Sequence, residues 1–358
     1  MKMRITRRYI LPLVTCWLFG LSVVVGLVAC SSDVETEADD GDVLQISAET
    51  RAATSVEITG ADAEGSSVFI FTTTTENVTP KADNAVLIDG KWRSTIRVNA
   101  GKTYYLYGFM PMDASANPTV DKLEGENYDK GAVLRLPNVD AIGPKDLCVL
   151  IGVQDKVSLT DPKNLKRGVF KYEGKERGKN YTHLLFAHVY ASIVMKLKVD
   201  ADYNTLRTIV LREMRLNTTS GKSKYDITMT VTANDADENP AEIILTPVES
   251  SASNPTFAFY EDVDGDAEDG LTLTSEAKEF PAFFATQNWG DMTLVTIYDV
   301  YDRKGNLIRK NCTANNVLNL PTGDLTRGQK YTFNLTVNPT YLYVLSDPDL
   351  DNPTITVN

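Results

Sequence analysis

The residues of this chain that could do chemistry are few and widely spaced. Asp262, Asp264 and Asp266 alternate in an acidic loop, EDVDGDAEDG. Alternating carboxylates are what an oxygen-liganded calcium loop requires. The spacing departs from an EF-hand loop, because Gly265 precedes the third carboxylate and Leu273 holds the twelfth position, where a bidentate glutamate belongs. A solvated turn is the expected state. The chain has two histidines, His183 and His188. Five residues apart, they fall on opposite faces of a strand. Two imidazoles with no cysteine adjacent in sequence do not make a zinc site, so both are expected to be packed or hydrogen-bonded, and no metal or cofactor is expected. There is no GxSxG, no P-loop and no GxGxxG. With 48 acidic residues, choosing two carboxylates for glycoside chemistry is arbitrary, and no catalytic residue is assigned. Tyr104, Tyr105, Tyr107 and Phe109 could stack on a sugar, but an aromatic run of this kind is expected to be core on one face.

The strongest chemical signal lies near the start. Lys2, Arg4, Arg7 and Arg8 precede an almost wholly apolar stretch, Tyr9 to Val28, which ends at Leu27-Val28-Ala29-Cys30 followed by two serines. This resembles a bacterial lipobox, in which the cysteine is acylated and becomes the first residue. The alternative is a transmembrane anchor, since the run is nearly long enough to span. Lipidation of Cys30 is the expectation, each buried acyl CH₂ contributing about 0.8 kcal/mol of membrane affinity. Loss of four positive charges with residues 1–29 moves the net charge from −12 to −16. Asp33 to Asp42 then reads as a solvated acidic tether. Acidic residues just after the lipid cysteine also resemble the surface-export signal of Bacteroides-group lipoproteins. The overall acidity argues against a nucleic-acid partner, which would need clustered Lys and Arg.

The elements that must position anything else are strands. Period-two alternation runs through Leu44, Ile46 and Ala48 and through Ile193–Val199. Ser67–Phe71 is a short apolar run, Thr103–Met110 is an aromatic strand, and Ala132–Leu136, Leu147–Val153, Tyr225–Val231, Met292–Val300 and Lys330–Val337 read as further strands. Asp89-Gly90 sits between two alternating arms and predicts a tight hairpin over Ala85–Val98. Helix signals are few, with Asn204–Met214 open to either reading. Cys148 and Cys312 fall in or beside strand-like runs and are expected as core thiols in preference to a disulfide. The charged, glycine-punctuated segment Tyr172–Asn180 is the expected domain boundary. Many short strands between turns suggest an all-β chain of two sandwiches. The expected organisation is a signal peptide at 1–29, a lipidated tether with an N-terminal strand at 30–51, sandwiches at 52–179 and 180–338, and a tail at 339–358.

Several segments, in order, resemble the fimbrillin family, lipoprotein subunits of the type V pili of Bacteroides-type bacteria. They are the lipobox, a short strand ending in Thr50-Arg51-Ala52, Val68–Phe71, Gly101–Pro111, Leu185–Ile193, and Tyr331–Val337 followed by Asn338–Tyr343. The resemblance implies two transthyretin-like β-sandwich domains in tandem. It also implies an assembly route in which a surface protease cuts after an arginine, the N-terminal strand leaves, and another subunit donates a strand to the vacated groove. Carried onto this chain, Arg51 is the processing residue and Val43–Glu49 the strand removed. A sandwich lacking one strand exposes unpaired backbone groups and an apolar slot, and an added strand satisfies both. The tail offers Tyr341, Tyr343 and Leu345 on one face and Leu342 and Val344 on the other as donor, unless it folds back on its own domain. Partners on this reading are other pilus subunits, the outer membrane through the lipid, and host or bacterial surface ligands. The rival reading is a surface glycan-binding lipoprotein of a carbohydrate-uptake system, which would need Trp92, Trp289 or Tyr104 as an open aromatic platform.

Overall fold

A computed structural model describes residues 41–51, 55–57, 63–74, 79–154, 166–234, 240–262, 270–320, 324–338 and 355–357. Cys30, Asp264, Asp266 and the tail residues Tyr341–Leu345 lie outside these. Where apolar and polar residues alternate, the chain forms strands. β1 (Asp42–Val43), β2 (Gln45–Arg51), β3 (Ser55–Glu57) and β4 (Ser67–Thr74) come first, followed by β5 (Lys81–Ile88) and β6 (Lys91–Ser94). Between the last two, Asp89 and Gly90 take φ of 53° and 68°. Two successive positive-φ residues match the right-handed twist of the flanking strands, and the expected hairpin forms with Ile88 opposite Lys91.

β7 (Arg97–Val98), the aromatic β8 (Thr103–Met110), β9 (Thr119–Lys122), β10 (Gly131–Asp140), β11 (Ile142–Gly143), β12 (Cys148–Gln154) and β13 (Lys171–Glu173) follow. Next come β14 (Tyr181–His188) and β15 (Ala191–Val199), then a short helix, α1 (Ala201–Leu206). The Asp200 carboxylate caps α1, accepting from the backbone N–H of Asp202 and Tyr203 at 3.1 Å each. The helix stops where Thr208, Ile209 and Val210 begin, since a β-branched run favours strand. Most of Asn204–Met214 is therefore β16 (Thr208–Thr218). β17 (Lys224–Thr232), β18 (Ala241–Pro247), β19 (Thr256–Glu261), β20 (Leu271–Leu273), β21 (Lys278–Phe284), β22 (Met292–Tyr301), β23 (Leu307–Leu318), β24 (Lys330–Val337) and β25 (Ile355–Val357) complete the described elements.

The protein is thus essentially all-β. Its largest sheet runs β3-β2-β14-β12-β8-β4-β5-β6, with β13 also on β8. Others run β18-β17-β10-β9, β11-β21-β15-β24-β25, and β19-β16-β22-β23 with β20 on β16, while β1 pairs with β7. Strand pairing crosses residue 180, where the sequence suggests a boundary, at β2–β14, β12–β14, β10–β17 and β11–β21. Two buried apolar clusters result. The smaller gathers Leu44, Ile46 and Ala48 with residues of β4, β5, β8, β12 and β14. The larger runs from Phe71 to Val337 and includes Tyr107, Phe109, Leu185 and Trp289. Among the described residues no helix is long and apolar enough to cross a membrane.

Candidate functional site

β2 follows from alternation within Leu44–Glu49. Leu44, Ile46 and Ala48 point one way and are 0 %, 6 % and 0 % exposed, inserted into the smaller core. Ser47 and Glu49 point the other way. The strand lies parallel to β14, with Gln45 opposite Tyr181, Ser47 opposite His183 and Arg51 opposite Ala187. On its other side, among the described residues, β3 pairs with Glu49–Arg51. Upstream, the Leu44 N–H donates to the Ile96 carbonyl and the Gln45 N–H to the Asn180 carbonyl. The Asp42 carboxylate accepts from Asn180 Nδ2 at 2.9 Å and from the Gly178 N–H at 2.7 Å. These two bonds, the Asn180 one foremost, hold its pKa below the ordinary 3.8. Arg97 donates to the Gly41 carbonyl at 3.1 Å. An N-terminal strand is thus inserted beside β14 and anchored at its start, and Arg51 is its last residue.

The polar face of β2 carries a cluster that strand periodicity alone does not reveal. Tyr181 donates its hydroxyl to Ser47 Oγ at 2.8 Å. Ser47 Oγ in turn lies 2.6 Å from His183 Nδ1. His183 Nε2 is 3.4 Å from Glu49 Oε2. Serine, imidazole and carboxylate are the residue types of an acyl-transfer triad. Here the imidazole is fully buried and Glu49 is 5 % exposed, so His183 has no approach to a leaving group. The cluster fastens β2 to β14 through polar contacts, complementing the apolar slot on the opposite face.

The remaining sequence-level candidates divide clearly. Asp262 is taken up by an ion pair, accepting from Arg212 Nη1 at 2.7 Å while Arg212 Nε donates to Asp299 at 2.9 Å. Both carboxylates are buried, so Asp262 is committed to the fold. Tyr104, Tyr105, Tyr107 and Phe109 are all buried. Trp289 is 2 % exposed and donates to the Ala285 carbonyl, while Trp92 packs against the smaller cluster. Trp92, Trp289 and Tyr104 therefore make no open sugar-stacking platform. Cys148 and Cys312 are free, buried thiols, as expected. Each histidine is hydrogen-bonded, His183 as above and His188 to Asp146. The sequence finds no cysteine beside either histidine, yet strand pairing places Cys148 directly across from His188.

At the C-terminus, β24 lies parallel to β15, with Ile193 opposite Tyr331, echoing β2 on β14. β25 covers the outer edge of β24, with Val357 opposite Leu335. The end of the tail is thus paired within its own chain.

No family model and no curated protein matches the chain. Among solved structures, the chain is similar to a fimbrial protein from Bacteroides vulgatus, at 14 % identity and a TM-score of 0.39, covering 88 % of this chain and 98 % of that one. A candidate cell adhesion protein from Bacteroides ovatus gives 14 % identity and a TM-score of 0.41, covering 89 % of this chain and 96 % of that one. Another from Bacteroides fragilis gives 11 % identity and a TM-score of 0.45, with 89 % and 94 % covered. Scores below one half do not decide what the chain does.

Proposed function

We propose that this protein is a non-catalytic, surface-exposed lipoprotein of fimbrillin type, anchored in the outer membrane through Cys30 and assembled into a pilus by strand exchange. The observation that carries this reading is β2. The segment between the lipid cysteine and Arg51 supplies a strand that fills an apolar slot and the edge of β14, with its final residue an arginine. Cleavage after Arg51 frees that strand. The sheet then presents the backbone of Tyr181–Ala187 unpaired on one side, a template for another strand.

A donor for that groove must match two unlike faces. The apolar slot accepts Leu44 and Ile46, and the opposite face meets Tyr181 and His183. In the tail, Leu342 and Val344 match the slot in size and spacing, while Tyr341 and Tyr343 bring hydroxyls to the polar face. On this reading the pairing of β25 with β24 parks the end of the tail within its own chain until a neighbouring groove opens. Adhesion to host or bacterial surfaces would be the role of the finished polymer.

Deleting residues 341–358 is expected to abolish SDS-resistant ladders, seen by immunoblot of sheared surface material, while the protein still reaches the membrane. Undiminished ladders would remove the tail as donor.

A further inference from the structure

Strand pairing assembles a cluster that the strand-exchange reading does not use. Asp146 precedes β12 and Cys148 begins it, so the two side chains, two residues apart, leave the chain on the same side. His188 closes β14 and is the direct cross-strand partner of Cys148. Cys148 Sγ lies 3.6 Å from His188 Nδ1, and the same ring nitrogen contacts Asp146 Oδ2. One ligand atom from each residue lies within 4.8 Å of the other two. Two atoms bound to one tetrahedral zinc, at zinc–sulfur and zinc–nitrogen distances of about 2.3 and 2.0 Å, sit roughly 3.5 Å apart. The observed sulfur–nitrogen distance fits that geometry.

We propose that Asp146, Cys148 and His188 form a binding site for a zinc-class divalent cation, with the fourth position open to water. Thiolate, imidazole and carboxylate together suit zinc and exclude magnesium or calcium, which take oxygen ligands. Asp146 and His188 side chains are each 19 % exposed, which gives an ion and a water a way in. Asp146 Oδ1 is buried with no hydrogen-bond partner among the described residues, and a carboxylate left in that state invites an ion or an ordered water. The rival reading is a Cys–His nucleophile. Cys148 is 0 % exposed, and burial, with Asp146 adding to it, pushes the thiol well above its ordinary pKa. A substrate has no access to it. A bound cation reverses that electrostatic balance, because a coordinating thiol is held deprotonated.

The ion would tie β12 to β14 at the residue next to Ala187, the partner of Arg51. It would brace β14 on one side while β2 leaves from the other. The site stands on its own geometry and does not depend on pilus assembly.

The test uses the full chain purified in detergent. Equilibrium dialysis should give one bound Zn²⁺ per chain. Co²⁺ should produce a near-ultraviolet thiolate charge-transfer band. Cys148→Ser should abolish that band, and Asp146→Asn should weaken Zn²⁺ binding at least about tenfold. Cys312→Ser should change neither. Zinc should also raise the thermal midpoint of the wild type. If Cys148→Ser does not fold, His188→Gln at its partly exposed position should weaken Zn²⁺ binding at least about tenfold. Absence of a band in the wild type, a band that survives Cys148→Ser, or Zn²⁺ affinity unchanged in His188→Gln would overturn the proposal.

Discussion

With Arg51 changed to alanine, the surface protein is expected to keep both its lipid cysteine and its N-terminal strand, and ladders on SDS gels should disappear. The fold gives this substitution an unusually clean meaning. Arg51 contributes its backbone to the sheet, opposite Ala187 on β14 and Ser55 on β3. Alanine keeps both pairings, so the precursor should fold and reach the membrane as before. Only the side chain an arginine-directed protease reads is lost. The readout is the amount of lipidated full-length protein against higher-order bands. Normal processing and undiminished ladders in Arg51→Ala would show that this arginine is not the processing residue.

The second large effect concerns what β2 does for stability. A chain beginning at Ala52 loses Leu44, Ile46 and Ala48 from the smaller core. Fully burying a Leu or Ile side chain is worth about 1.5–3 kcal/mol, so Leu44 and Ile46 alone account for roughly 3–6 kcal/mol. That is a large share of the 5–15 kcal/mol, or thereabouts, by which folded domains usually exceed their unfolded chains. The Ser47–His183–Glu49 contacts go as well, uncovering an imidazole that is fully buried in the precursor. Urea denaturation of the truncated protein should show a much lower midpoint than the precursor. A peptide spanning Asp42–Arg51, added in trans, should restore most of the difference, because it returns both the ladder to β14 and the apolar side chains. A truncated chain as stable as the precursor, or one indifferent to the peptide, would mean that β2 is not structurally complementary in the way assembly requires.

Much of this architecture could be read from the residues. Alternation at Leu44, Ile46 and Ala48 predicts a strand with one buried face, and that face is buried. Asp89-Gly90 predicts a hairpin because few other pairs adopt two positive φ values, and the hairpin forms there. Partnership across the chain was not legible. Period two says which face of a strand is apolar but not which strand lies beside it. β14, read as the start of a second sandwich, pairs with β2 and β12 in the sheet that holds most of the first half. The same blindness hid both polar clusters. Ser47 and Glu49 are far from His183 in sequence, and Cys148 is far from His188; only the parallel register of β2 and the antiparallel register of β12 bring them together. The acidic loop reads as a solvated turn, but the Asp262 side chain is buried against Arg212, a partner no local spacing could identify.

The central claim is that the strand ending at Arg51 is removed before the protein enters a polymer. The most direct measurement is mass spectrometry of the N-terminus of this protein in high-molecular-weight material sheared from the cell surface. The account predicts a chain starting at Ala52, with the lipidated form confined to the membrane fraction. Polymer built from chains that still start at acylated Cys30 and retain Gln45–Arg51 would contradict it.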